Sequence, residues 1–172
     1  MRRPCLPILT ISTLGLLMLT SACAGGAAPP AAPLAATPAP TPAPVAGYDW
    51  FYTPDGATAR LAYGIEASDE VKLGLDCDAG SGKVTLSAPG PVGAREIHLE
   101  SGGETGRFTA TGEPSELHDG DFLIGPAETT EPVLQRFRGL GWIARWVGTT
   151  RENYAPQPGS DAGVERFFAL CG

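Results

Sequence analysis

The sequence predicts a mainly β domain, an antiparallel β-sandwich or small barrel with two short helices, one of them C-terminal. Three features predict it. Short runs of alternating or β-branched character recur between glycine and proline punctuation. In the clearest, Val71, Leu73, Leu75 and Cys77 alternate with Lys72, Gly74 and Asp76, the period of a strand with one buried face. The stretch IHLESGGETGRFTA reads as two strands joined by a glycine-containing turn, and two later segments carry helix start and stop residues.

Ahead of that domain the chain opens with Arg2 and Arg3, an apolar segment from about Leu6 to Leu19, and then small residues. This is the order of a secretory signal over residues 1–22, too short and too interrupted by Pro7, Thr10, Ser12 and Thr13 to span ~30 Å of hydrocarbon. Leu19-Thr20-Ser21-Ala22-Cys23 resembles the lipobox of bacterial lipoproteins. That resemblance implies cleavage before Cys23, alkylation of its thiol by a diacylglyceride, and further acylation such as palmitate. Each buried methylene contributes about 0.8 kcal/mol, so two or three acyl chains hold a protein to a bilayer almost irreversibly. Ala24 stands where lipoproteins retained in the inner membrane often carry aspartate, so the expected location is the cell envelope at the periplasmic face of the outer membrane.

Residues 23–46 comprise this cysteine and a proline- and alanine-rich tether without a charge or an aromatic ring. Proline fixes φ and pushes its neighbours to extended geometry, so the 23 residues after Cys23 reach on the order of 70 Å when fully extended at ~3.1 Å each. No basic residue flanks the prolines, which argues against a ligand for an SH3-like module. Composition changes at Gly47, and residues 47–172 have the length of one domain with its own core.

Within that domain, strands are expected at Trp50 to Thr53, Thr58 to Tyr63, Val71 to Cys77, Lys83 to Ser87, Arg95 to Ser101, Arg107 to Thr111 and Phe122 to Ile124. Thr130 is the expected cap of a helix that begins with Glu131 and Pro132, runs through Val133, Leu134 and Phe137, and stops at Gly139. GWIARWVG follows as a strand with Trp142, Ala144 and Trp146 on one face and Ile143, Arg145 and Val147 on the other. The last helix is capped by Ser160 or Asp161 and places Val164, Phe167, Phe168 and Cys171 at helical spacing.

Of four cysteines, Cys5 lies in the signal and Cys23 takes the lipid, which leaves Cys77 and Cys171 to form a disulfide in an oxidising compartment. Neither has a histidine nearby in sequence, which argues against a catalytic thiol. The domain carries 10 basic and 19 acidic side chains, net −9, once Arg2 and Arg3 are set aside. Such a field repels phosphate backbones and anionic headgroups and excludes nucleic acid as a partner, while it favours a basic envelope protein.

Motifs that carry chemistry fail on inspection. DCDAGSGKV has Gly80 at the fifth and Ser87 at the twelfth place of a calcium loop, and Cys77 and Val84 break a phosphate-binding loop, so GSG is read as a hairpin turn. EPSELHDGDF gathers Glu113, Glu116, His118, Asp119 and Asp121, which could serve a hydrolase if Asp119 oriented His118, but Asp119-Gly120 is itself a turn pair and a solvated loop is favoured. His98 alternates with Ile97 and Leu99 and is expected on the polar strand face with Glu96 and Glu100. No GxSxG, HExxH or paired CxxC occurs, and no cofactor, metal or catalytic residue is assigned.

The tract from Ala59 to Leu86, with the terminal ERFFALCG, is similar to a group of proteobacterial envelope proteins without assigned activity. The shared features are a Tyr-Gly turn, a strand cysteine after a Ser-Asp pair, and a C-terminal Phe-plus-Cys helix. LDCDAGSGKVTL followed by ESGGETGRF also resembles the small lipoprotein inhibitors of C-type lysozyme, with their cysteine-bearing strand and inserted Ser-Gly loop. The expected function is therefore a lipid-anchored, non-catalytic binding module of the envelope. A lysozyme inhibitor is the first alternative and a hydrolase using His118 the second.

Overall fold

The computed structural model describes residues 40–160 and 162–172. The signal segment 1–22, Cys23, the tether as far as residue 39 and the cap candidate Asp161 lie outside the described residues. The protein is mainly β. The strands are β1 (Tyr48–Asp55), β2 (Thr58–Ile65), β3 (Val71–Asp78), β4 (Lys83–Gly90), β5 (Glu96–Ser101), β6 (Glu104–Thr109), β7 (Thr111–Pro114), β8 (Asp121–Glu128), β9 (Ile143–Val147) and β10 (Thr150–Tyr154). Helices α1 (Pro132–Leu140) and α2 (Ala162–Cys171) complete the chain. The strands form two antiparallel sheets, ordered β1-β2-β3-β4-β8-β7 and β10-β9-β5-β6. They do not close into a barrel.

Alternation decides which side chains face the core. Leu73, Leu75 and Cys77 on β3 pair with Tyr63, Leu61 and Ala59 on β2, all of them buried. Ile97 and Leu99 supply the inner face of the second sheet. The α2 helix packs on β1, β2 and β3 and buries Val164, Phe167, Phe168 and Cys171, the predicted stripe. Cys171 is joined to Cys77 by a disulfide, Cα to Cα 5.8 Å. Beside it, the GSG segment has a second task besides turning the chain. The Gly80 and Gly82 amides donate to the Leu170 and Cys171 carbonyls at 2.8 and 2.9 Å, and the Thr129 hydroxyl donates to Gly172 O at 3.0 Å. A loop that turns the chain thus also satisfies the carbonyl end of a helix.

Three expectations change. The predicted Arg107 to Thr111 strand is broken at Ala110, where the chain leaves β6 in one sheet and enters β7 in the other. Ala110 is buried and its amide is held by Arg95 O at 2.9 Å, so this is a corner between sheets. Helix α1 starts from Glu131 rather than Thr130, without a side-chain cap, and runs past exposed Gly139 to stop at Gly141, whose φ of 76° and bond to Phe137 O make the left-handed terminus. Ser160 does not cap α2 by its side chain: its hydroxyl donates to Asp49 and to Gln157 O.

Gly64 sits at a register shift between β2 and β3, and a Cβ there would lie 2.3 Å from Glu70 O. Backbone cannot yield as a side-chain tip can. Gly64→Ala is expected to cost about 1–3 kcal/mol through overpacking, read as a lowered denaturant midpoint at unchanged slope.

Candidate functional site

The two sheets meet along a seam between their edge strands β1 and β10. Trp50 Nε1 donates to Tyr154 O at 3.3 Å, and the Gln157 side chain donates to Val45 O and Tyr48 O at 2.8 and 2.9 Å. Asp49 accepts from the Gln157 amide at 3.0 Å and the Ser160 hydroxyl at 2.6 Å. Five hydrogen bonds among seven residues therefore fix one edge.

Behind those bonds three tyrosine rings lie side by side. Tyr48 stacks on Tyr63 with centroids 5.8 Å apart, and Tyr63 on Tyr154 at 4.8 Å. The outer two are locked through their hydroxyls: Tyr48 donates to Glu70 at 3.0 Å and Tyr154 to Glu152 at 2.6 Å. The middle hydroxyl, Tyr63 Oη, is buried and has no hydrogen-bond partner among the described residues. Together with Val45, Lys72, Glu152 and Asn153 these rings line a cavity of about 310 Å³. Burial pushes the Tyr154 phenol far up, helped by its bond to Glu152, and burial likewise raises Tyr63. Both stay neutral donors across the physiological range.

Charge around the cavity is balanced. Lys72 Nζ lies 2.6 Å from Glu70 and 5.7 Å from the centre of the Tyr48 ring. The Lys72 bond, then that from Tyr48, holds Glu70 below the usual carboxylate range, and Lys72 is raised in return. Beneath lies Arg145, 3% exposed and opposite Glu152 in the β9–β10 register. Its guanidinium donates to Lys72 O at 3.5 Å and to Pro89 O, and its Nε has no partner among the described residues.

The acidic loop is less ordered toward one purpose. His118 is half-buried in a separate cleft of about 140 Å³ with Asp69, Glu70, Lys72 and Phe122, and its Nε2 has no partner among the described residues. Asp119 is exposed and makes no bond to it, so the orienting pair is not assembled. Glu113 belongs to β7 and Glu116 is exposed, while Asp121 is buried and accepts from the Gly93 amide at 2.9 Å, 3.7 Å from Arg95. Among the described residues no three His, Cys, Asp or Glu side chains gather as metal ligands.

On the outer face of the second sheet His98 lies where its alternation placed it, stacked on Trp146 at 6.0 Å between Glu96 and Glu100. Burial and then Arg107 lower its pKa. Glu100 accepts both arms of Arg151 at 2.8 and 2.9 Å and the Trp146 indole at 3.0 Å. The Arg151 bond is the main cause of its lowered pKa. A carboxyl depressed in the folded state stabilises fully above its unfolded value, about 4.3, and loses that contribution as pH falls through the folded value. Glu100→Gln is therefore expected to cost stability at pH 7 and to approach the parent in acid, checked by urea midpoints across pH.

The outer face of the first sheet carries a wider depression of about 600 Å³, with Arg60 3.5 Å from Asp76 and with Asp55, Asp78 and Lys83 at its walls. These side chains are nearly half exposed, and water screens them. Nothing in the residue pattern marks the tyrosine seam. Tyr154 lies in a strand, TRENY, that has no apolar alternation, and only the β1–β2 register pairing Trp50 with Tyr63 hints at aromatic clustering. No protein-family model matches the chain, and no curated protein or solved structure is significantly similar to it.

Proposed function

We propose that the chain is a lipid-anchored cell-envelope protein, held through Cys23 at the periplasmic face of the outer membrane, that binds another envelope component without catalysis. The observation that carries the binding reading is the tyrosine seam: a cavity of about 310 Å³ whose outer rings are locked by Glu70 and Glu152 before any ligand arrives. Binding cavities are mostly apolar, largely preformed and edged by a few polar groups. Rings already fixed lose little entropy on binding. The anchor reading rests on the lipobox-like Leu19-to-Cys23 stretch and the proline-rich tether that follows.

The lysozyme-inhibitor alternative needs the Gly80–Gly82 loop offered to an enzyme cleft, whereas both glycine amides there are bonded to the end of α2. The hydrolase alternative needs Asp119 to orient His118, and the two are not bonded.

Affinity capture from intact envelopes with the full chain, compared with Asn153→Arg to fill the rim of the cavity, tests the binding reading. Captured material should be lost in the variant while the fold, followed by circular dichroism, is kept. Equal capture by both chains, or turnover of an envelope substrate by the parent, contradicts it. Cys23→Ser should release the chain from the membrane fraction.

A further inference from the structure

We propose that one loop end of the sandwich is a second docking surface, for a basic protein segment that carries apolar side chains. The register places it. Gly64 pairs with Val71, and both Gly90 and Pro114 pair with Asp121. The β2–β3 turn, the β4–β5 connection and the β7–β8 turn therefore leave the first sheet at the same end. Two contacts tie them together: Asp69 and Leu117 line one cleft of about 140 Å³, and the Gly93 amide donates to Asp121 at 2.9 Å.

These loops carry three of the five large apolar side chains that are exposed among the described residues. Val92 is 82% exposed, Leu117 75% and Ile65 39%. Single exposed apolar residues need no explanation, whereas a group on adjoining loops marks an interaction site. The cleft between the loops is smaller than small-molecule sites and admits one side chain of a partner.

Charge selects the occupant. Glu66, Asp69, Glu113, Glu116 and Asp119 stand at the same end, all exposed and none in an ion pair among the described residues. The two cations there are already engaged, Lys72 by Glu70 at 2.6 Å and Arg95 by Asp121 at 3.7 Å. An apolar centre with a charged rim is the anatomy of a protein interface, and a rim of carboxylates calls for lysine or arginine opposite. The same field repels nucleic acid, anionic lipid and a second copy of this chain. Lys72 also lines the seam cavity, but the surface is built from other residues and its failure leaves the seam reading standing.

The full chain carrying Cys23→Ser should be titrated into a labelled lysine–leucine hexapeptide, its lysine–serine analogue and its glutamate–leucine analogue, followed by fluorescence anisotropy. Saturable binding of the first is expected, at least ~10-fold tighter than either analogue and weakening as salt rises from ~50 to ~300 mM. Leu117→Ser and Val92→Ser alter exposed side chains, so circular dichroism should be unchanged. Each should weaken binding about 3- to 10-fold and leave its salt dependence intact. Glu66→Gln combined with Glu116→Gln should weaken it and flatten the salt dependence. Asp55→Asn with Asp78→Asn, at the opposite end of the first sheet, and Asn153→Ala in the seam should have no effect.

No preference among the peptides, or affinity unaltered in Leu117→Ser and Val92→Ser, would overturn the proposal. An equal loss from the Asp55 and Asp78 pair would reduce it to overall charge. Loss in Asn153→Ala without loss in Leu117→Ser would move the contact to the seam and contradict it as well.

Discussion

Replacing both Cys77 and Cys171 by alanine is expected to remove about 4–5 kcal/mol of stability, the entropy regained by the unfolded chain when a long loop is opened. The two cysteines are 94 residues apart, and small domains are stable by only about 5–15 kcal/mol in total. At a few degrees per kcal/mol the melting temperature should fall by well over ~10 °C. Both cysteines are buried, at 7% and 0% exposure, so a mild reductant alone should act slowly on the folded protein. The comparison therefore needs the double variant, or reductant added with denaturant. The bonds from Gly80 and Gly82 to the end of α2 remain in the variant. They should keep the helix docked at low temperature, so the loss appears in the unfolding midpoint before it appears in helix content. A change under ~1 kcal/mol would mean that the unfolded chain is already compact enough to make the crosslink redundant.

Phe137→Ala comes next in size, at about 3–5 kcal/mol. Its ring is fully buried, 4.8 Å from the Trp50 centroid and 5.9 Å edge-on from Phe168, so it ties α1 to both β1 and α2. Removing it leaves a cavity where three elements meet. Urea unfolding should show the loss, and a double-mutant cycle with Phe168→Ala should show coupling on the order of 0.5–3 kcal/mol, because the rings touch one void. The Arg138–Glu165 pair joins the same two helices at 2.6 Å. It is far more exposed, and Glu165→Gln should cost well under ~1 kcal/mol by the same measurement. Burial, not charge, holds the helices together.

What the sequence made legible follows from this. Strands β1 to β5 and β8 could be read because their inward residues are apolar and alternate, as Leu73, Leu75 and Cys77 do. Helix α2 could be read because Val164, Phe167, Phe168 and Cys171 fall on one stripe. Strand β10 could not. Its inward residues are Glu152 and Tyr154, and it finds its place by pairing with β9. The division of one run into β6 and β7 was hidden for a related reason, since a change of sheet at Ala110 alters partners without altering the alternation. Gly139 looked like a helix stop because glycine favours that role, but the chain stops where φ turns positive, at Gly141.

The tyrosine seam was least visible of all. Tyr48 and Tyr63 come from the first sheet and Tyr154 from the edge of the second, and only the packing of the two sheets stacks their rings. Arg145 shows the same limit. Alternation put it on one face with Ile143, but only the fold shows that this face turns inward and that its charge is held by the Lys72 and Pro89 carbonyls. His98 and the loop around His118 drew notice for their residue types, whereas the better-built site consists of residues that read as core.

The tyrosine seam is the proposed place where this protein meets its partner. A photo-crosslinking residue placed at position 153, and a second chain carrying it at position 53 on the outer face of the first sheet, should be irradiated in intact cells. A discrete adduct from position 153 alone, lost when Tyr154→Ala is combined with it, is the predicted result. An adduct from position 53 with none from 153 would place the contact on the opposite face and contradict the account.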